Sequence, residues 1–273
     1  MTTTRGCDEW RKKAWGVIAL DAGVRFVKYM GSKAKIARSL LDLMLKSRQV
    51  GQTFVEPFVG GCNVIDKVEG LRIGCDSNKF LIAMYKYLQN NPPPIFDQSK
   101  HHYDAVRQAF RSDDNAFFED WYIGYVGFMA SANGRLFDGG YSGVSETKIG
   151  TTRNYIDESI RGLNKQLESI KDVNFVCADY KELIIPPESI VYCDPPYANS
   201  KQYSTGDFNS DDFWNWCRLL VGQGHKVFVS EYNSPPDFKE IWAMEITSSL
   251  RANSQIHVAK KSIERLFIHE SQT

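Results

Sequence analysis

The sequence predicts a layered α/β fold with a mostly parallel sheet of about seven strands, on three observations. Short, nearly continuous apolar runs occur at TFV (53–55), LRIGC (71–75), VNFVC (173–177), SIVYC (189–193) and KVFVS (226–230). That is the pattern of parallel strands covered by helices on both faces. Two longer runs, AMEITSSL (243–250) and SIERLFIH (262–269), alternate in polarity and fit an antiparallel hairpin closing one edge. Helical spacing of apolar residues fills the intervals at IARSLLDLMLKS (36–47), SNKFLIAMYKYLQNN (77–91), YIDESIRGLNKQLESI (155–170) and DDFWNWCRLLVGQG (211–224). The result is the βαβ alternation of crossover-connected sheets.

One segment breaks the alternation. After the helix ending near Asn91 the chain passes the breaker NNPPP (90–94), an aromatic helical stretch FFEDWYIGYVGF (117–128) and a loop-like tract at 132–154. We read 81–168 as an inserted, mainly helical module without a strong strand pattern, leaving 1–80 and 169–273 to the sheet domain.

Bulk composition excludes several classes. The 273 residues are 42% hydrophobic and 24% charged, with 33 Lys+Arg against 33 Asp+Glu. A nucleic-acid role must therefore rest on local basic patches rather than on net charge. Six cysteines (7, 62, 75, 177, 193, 217) show no C-x-x-C spacing, which argues against a disulfide framework or a zinc site and for reduced cytoplasmic thiols. RKKAWGVIALDAGV (11–24) is signal-like but short, and it carries Asp21. No run approaches the roughly 20 apolar residues of a membrane span, so the expectation is a soluble cytoplasmic protein.

The chemistry concentrates where strands end. In FVEPFVGG (54–61) a strand runs into Glu56, Pro57 and Phe58, and Gly60 and Gly61 allow a sharp turn and close backbone approach to a ligand. The next strand ends in CDSN (75–78), where Asp76 is placed to accept both hydroxyls of a ribose. No G-x-G-x-x-G and no Walker lysine are present, which disfavours a pyrophosphate-bearing cofactor. The third strand ends in CADY (177–180) with Asp179, and the fourth in CDPPY (193–197) with Asp194. Any one of these acids alone is an ordinary cap or turn residue. Four at equivalent positions mark the ligand edge of an open sheet.

CDPPY has its own logic. Pro195 and Pro196 remove two backbone donors and fix φ, so the turn presents acceptors only. Asp194 beside the Pro195 carbonyl would match the two hydrogens of an exocyclic NH₂, and Tyr197 offers a face for a planar base. Adenine N6 and cytosine N4 present the same two donors, so the clamp fits either. A catalytically inactive DNA- or nucleoside-binding module is the reading from a different class.

The chain resembles the Dam-like (D12 class) DNA adenine-N6 methyltransferases, particularly their phage-encoded branch. The matching residues are KYMGSK (28–33), EPFVGG (56–61), CDSNK (75–79), ADY (178–180), DPPY (194–197), SEY (230–232) and KKSIERLFIHE (260–270). The resemblance implies a Rossmann-like sheet binding S-adenosyl-L-methionine, with a target-recognition domain inserted after the second strand. It implies that Tyr29, Gly31 and Lys33 line the cofactor pocket and that Glu56, Pro57, Phe58, Gly60 and Gly61 hold the methionine end. Asp76 and Asn78 would serve the ribose, Asp179 and Tyr180 the adenine, and Pro195, Pro196 and Tyr197 the reacting amine, with Asp194 between cofactor and amine and in contact with both. Cys62 stands where many relatives have glycine, and NGRLFDGGYSG (133–143) lacks the Arg-x-Asn pattern of GATC-specific relatives.

The expected reaction is methyl transfer to N6 of adenine in double-stranded DNA, with the base flipped out of the stack toward Tyr197, Tyr203 or Phe208. Catalysis is then mostly alignment and charge stabilisation, with no metal and no strong general base. Expected DNA contacts are Lys33, Lys35 and Arg38 at the rim, Arg135, Lys148 and Arg153 in the insert, and Tyr203. A monomer or a weak dimer on DNA is expected.

Overall fold

The computed structural model describes residues 29, 31–112, 117–146, 150–196, 208–247 and 261–273. Among them a seven-stranded sheet forms from β1 (Phe54–Glu56), β2 (Arg72–Asp76), β5 (Asn174–Cys177), β6 (Ile190–Cys193), β7 (Lys226–Ser230), β8 (Phe238–Thr247) and β9 (Lys261–His269). Its order is β5-β2-β1-β6-β7-β9-β8. The first five are mutually parallel, while β9 runs antiparallel to both β7 and β8. The sheet is thus mixed α/β and mostly parallel, consistent with a methyltransferase fold. The final hairpin lies with β9 inside and β8 at the edge.

Side chains of the buried strands alternate between two apolar layers, as the pleat demands. Phe54, Ile190, Tyr192, Phe228, Leu266 and Ile268 face one layer, with α1 (Ala37–Met44), α2 (Lys79–Leu88) and α5 (Tyr155–Ile170). Val55, Val191, Cys193, Val227, Val229 and Phe267 face the other, beneath α6 (Ser210–Gly222). Asparagines start three of these helices: Asn78, Asn154 and Asn209 each accept two backbone N–H groups at the N-termini of α2, α5 and α6. Each such cap is worth about 1 kcal/mol.

Two helices of the interrupting segment, α3 (Lys100–Ser112) and α4 (Asp120–Ala130), join the first layer directly. Tyr103 and Val106 of α3 and Ile123, Tyr125 and Val126 of α4 are buried in the same continuous core as Phe54 and Tyr85. The α4 helix is apolar nearly all round and crosses α2 so closely that a Cβ on Gly124 would lie 2.2 Å from the Phe80 carbonyl oxygen. Only a residue without a side chain fits that crossing.

The tract read as a loop at 132–154 contains a two-stranded antiparallel ribbon, β3 (Val144–Glu146) with β4 (Thr152–Asn154). It gave no strand signal because it is short and polar, and β3 is wholly exposed. Likewise β8 begins at Phe238, before the expected 243, because an exposed edge strand need not be apolar.

Candidate active site

The chain leaves β1 for β2 and β5 on one side, then returns through β6 and β7 on the other. The connectivity reverses between β1 and β6, and the crevice at their carboxyl ends is where open α/β sheets take ligands. Glu56 ends β1 and Asp194 follows β6 at this switch point, with Val55 and Val191 in register. Asp76 ends β2 in register with Cys177, and Asp179 follows β5.

The turn after β1 is held from several sides. The carboxylate of Asp76 accepts the Gly60 N–H at 3.1 Å and the Asn78 N–H at 2.9 Å, joining the ends of β1 and β2. Burial nevertheless pushes the Asp76 carboxyl above its ordinary range, against those two hydrogen bonds. Tyr85 donates its hydroxyl to the Gly60 carbonyl at 2.9 Å, and the Gln166 side-chain amide donates to the carbonyls of Gly61 and Cys62 at 3.1 Å. Tyr29 lies over the turn, so a Cβ on Gly60 would come within 2.8 Å of its ring. Gly60 and Cys62 both adopt positive φ, 43° and 55°, and Cys62 is fully buried.

Glu56 is 3% exposed and accepts the Ile65 N–H at 3.0 Å. Its carboxyl is held well above the usual carboxylate range, first by burial and then by the charge of Asp194. On the opposite layer, Tyr180 packs against Phe58, Phe213 and Trp216 at centroid distances of 5.1, 5.9 and 5.0 Å, with Phe208 at 6.1 Å. These rings form an apolar aromatic wall beside β5 and β6. Asp179 is exposed and caps the turn at Tyr180 by accepting the Lys181 N–H at 2.9 Å.

Asp194 is tied to Lys33 by a 2.8 Å ion pair. Lys33 is only 5% exposed, donates to the Gly31 carbonyl at 3.2 Å and lies 3.7 Å from Glu264 on β9. Burial by itself loosens the hold of this ammonium on its proton. The charges of Asp194 and Glu264 outweigh it, so Lys33 binds its proton more tightly than a free lysine. An open cleft of about 410 Å³ at the end of β7 is lined by Trp214, Glu231, Tyr232 and Asn233 among others.

Residues 29–249 match the family of D12 class N6 adenine-specific DNA methyltransferases, which is most of the chain. The chain belongs to that family. No curated protein matches it significantly. As a D12 class methyltransferase it methylates adenine N6 at specific sites in DNA, using S-adenosylmethionine. The turn suits such a cofactor. Asn63 Oδ1, at its far end, is buried without a hydrogen-bond partner, and Asp76 retains lone pairs beyond the two in use. Among the described residues no group of three or more His, Cys, Asp or Glu could hold a metal ion, and no helix is long and apolar enough to cross a membrane.

Two residues expected at the methyltransferase's DNA surface, Lys33 and Arg153, are engaged by carboxylates of the chain itself. Lys33 faces inward, and its ammonium, already engaged by Gly31, Asp194 and Glu264, is not presented to a phosphate. Arg153 is committed to a two-pronged pair with Glu158 at 2.8 and 2.6 Å and stacks over Tyr155. Arg135 is exposed on a tight loop fixed by Ser131, whose hydroxyl accepts the Phe137 N–H at 3.1 Å and meets the Tyr103 hydroxyl. Tyr197, Tyr203 and Lys148 lie outside the described residues. Gln166, Tyr85 and Glu264 went unread in the sequence. Gln166 had a signal: with Ile156, Ser159, Leu163 and Ile170 it lies on the buried stripe of α5, where an amide needs a partner.

Proposed function

We propose that Asp194 is the acceptor for the N6 amine of a flipped adenine, and that the turn from Glu56 to Cys62, with Asp76 and the Tyr180 wall, holds the cofactor. The observation that carries this reading is the pairing of Asp194 with the buried Lys33 at the topological switch point. The ion pair with a buried ammonium holds the carboxylate in one orientation, which is what an acceptor for a donor-only amine requires.

S-adenosylmethionine, when bound, supplies the methyl group on a positively charged sulfur. Asp76 accepts hydrogen bonds from the ribose, and Phe58 and Tyr180 supply the apolar surface for the cofactor's base. Asp194, with the Pro195 carbonyl, takes the amine hydrogens and opposes the positive charge that grows on nitrogen. Carboxylates around the crevice suit the cationic donor as well.

We place target recognition in the segment between α2 and α5, within the wider insert 81–168, with the loop at 131–141 and the β3–β4 ribbon as its DNA-facing parts. Arg135 is the base reader we favour, supported by its exposure on a tightly held loop. Double-stranded DNA is the substrate, and the cleft lined by Trp214 and Tyr232 is our choice for the extruded base.

The test is single-turnover methyl transfer by Asp194→Asn, with cofactor titration alongside. The expected result is a rate loss of at least about a hundredfold with cofactor affinity nearly retained. Transfer at near wild-type rate would remove Asp194 from the chemistry.

A further inference from the structure

Glu264 is 8% exposed on the inner strand of the terminal hairpin, beyond the residues matched to the family. A carboxylate is costly there unless it has a positive partner. Its Oε2 lies 3.7 Å from Lys33 Nζ, the same ammonium that is 2.8 Å from Asp194 Oδ1. The Gly31 carbonyl accepts from the same ammonium at 3.2 Å, so oxygens from three separate segments gather on it. Each comes from a different part of the chain: Gly31 precedes α1, Asp194 follows β6, and Glu264 is on β9.

We infer that Glu264 is a positioning residue for methyl transfer: it shares the Lys33 ammonium with Asp194, so that Lys33 orients Asp194 without monopolising it. This rests on the reading of Asp194 as the amine acceptor. Among the described residues, Asp194, Glu264 and Tyr232 face the Lys33 ammonium, and Asp194 in turn faces Glu56 across the switch point. Lys33 is therefore a cation shared by two carboxylates, Asp194 and Glu264. Neutralising Glu264 removes its pull on the ammonium, so Lys33 draws more strongly on Asp194 and competes with the amine for the same oxygen. Because Glu264 is on β9 and the glycine turn follows β1, three strands away in the sheet, cofactor binding should be spared.

The test uses the full chain, S-adenosylmethionine with a labelled methyl group, and unmethylated genomic DNA in excess. Single-turnover rate and cofactor affinity are measured for wild type, Glu264→Gln, Glu264→Asp and Asp194→Asn. The expected result for Glu264→Gln is a rate loss of about tenfold or more with cofactor affinity within about twofold, and substantial recovery in Glu264→Asp. A wild-type rate in Glu264→Gln, with Asp194→Asn inactive, overturns the role of Glu264 and leaves the acceptor reading standing. An active Asp194→Asn removes the acceptor reading itself. Parallel loss of cofactor binding in Glu264→Gln, or a Glu264→Asp variant as slow as Glu264→Gln, makes Glu264 a structural strut and ends the proposal.

Discussion

Gln166 reaches from α5 to the glycine turn and donates its side-chain amide to the carbonyls of Gly61 and Cys62 and to Asp66 Oδ2. The helix that follows the β3–β4 ribbon therefore grips the segment assigned to the cofactor. Gln166→Leu keeps the bulk and removes the donor, leaving buried acceptors unsatisfied at about 1–3 kcal/mol each. The expected outcome is a lower thermal midpoint together with weaker S-adenosylmethionine binding, measured by calorimetry. A stability loss without any change in cofactor affinity would separate the grip from the binding site.

Asp76→Ala removes a carboxylate that accepts from Gly60 and Asn78. A ribose hydroxyl donating to its remaining lone pairs would make a charge-assisted bond worth about 1.5–3 kcal/mol, so cofactor affinity should fall by at least about tenfold. Isothermal titration decides it. An unchanged dissociation constant reduces Asp76 to a strut between β1 and β2.

Glu56 gives a prediction in pH. Its carboxyl is raised in the folded chain by burial and by Asp194, so the folded state holds this proton more tightly than the unfolded state does. Stability from this group is present below the ordinary carboxylate range and declines as pH rises toward the folded value. Glu56→Gln should remove that contribution to the decline and raise the thermal midpoint at neutral pH, while methyl transfer weakens. A neutral-pH midpoint lower than wild type would show that the ionised carboxylate is stabilising where it sits.

Arg135→Ala should alter which sequences are methylated. A base-reading arginine contributes about 1–3 kcal/mol of discrimination at one position, whereas a phosphate contact weakens all sequences alike. Methylating a randomised DNA pool with wild type and variant, then sequencing, distinguishes the two. An identical motif at lower yield would make Arg135 a backbone contact.

Strand ends were legible in the sequence because an acid that closes an apolar run announces both the strand and its edge. Glu56, Asp76, Asp179 and Asp194 all follow such runs. The α3 helix was not, because Tyr103, Val106 and Ala109, its buried residues, are dispersed among charged and polar neighbours in KHHYDAVRQAFRS. Contacts between distant segments were silent for a different reason. Nothing near Lys33 reveals that Asp194 and Glu264 will flank it, since the sheet order that joins them is a property of the whole chain. Inward-facing Lys33 and paired Arg153 illustrate the same limit, because a basic residue looks alike in sequence whether it meets phosphate or a carboxylate of its own chain.

The continuity of the core through α3 and α4 constrains how DNA specificity can diverge. Tyr103, Val106, Ile123 and Tyr125 are packed with Phe54 and Tyr85, so exchanging this whole segment for another would reopen the interior beneath the sheet. Variation is cheap only where side chains are exposed, at Arg135 on its tightly held loop and in the polar ribbon beyond it. New target sequences should therefore be reached by rewriting those short surface stretches on a retained helical base, and chimaeras cut inside the helices should fail to fold.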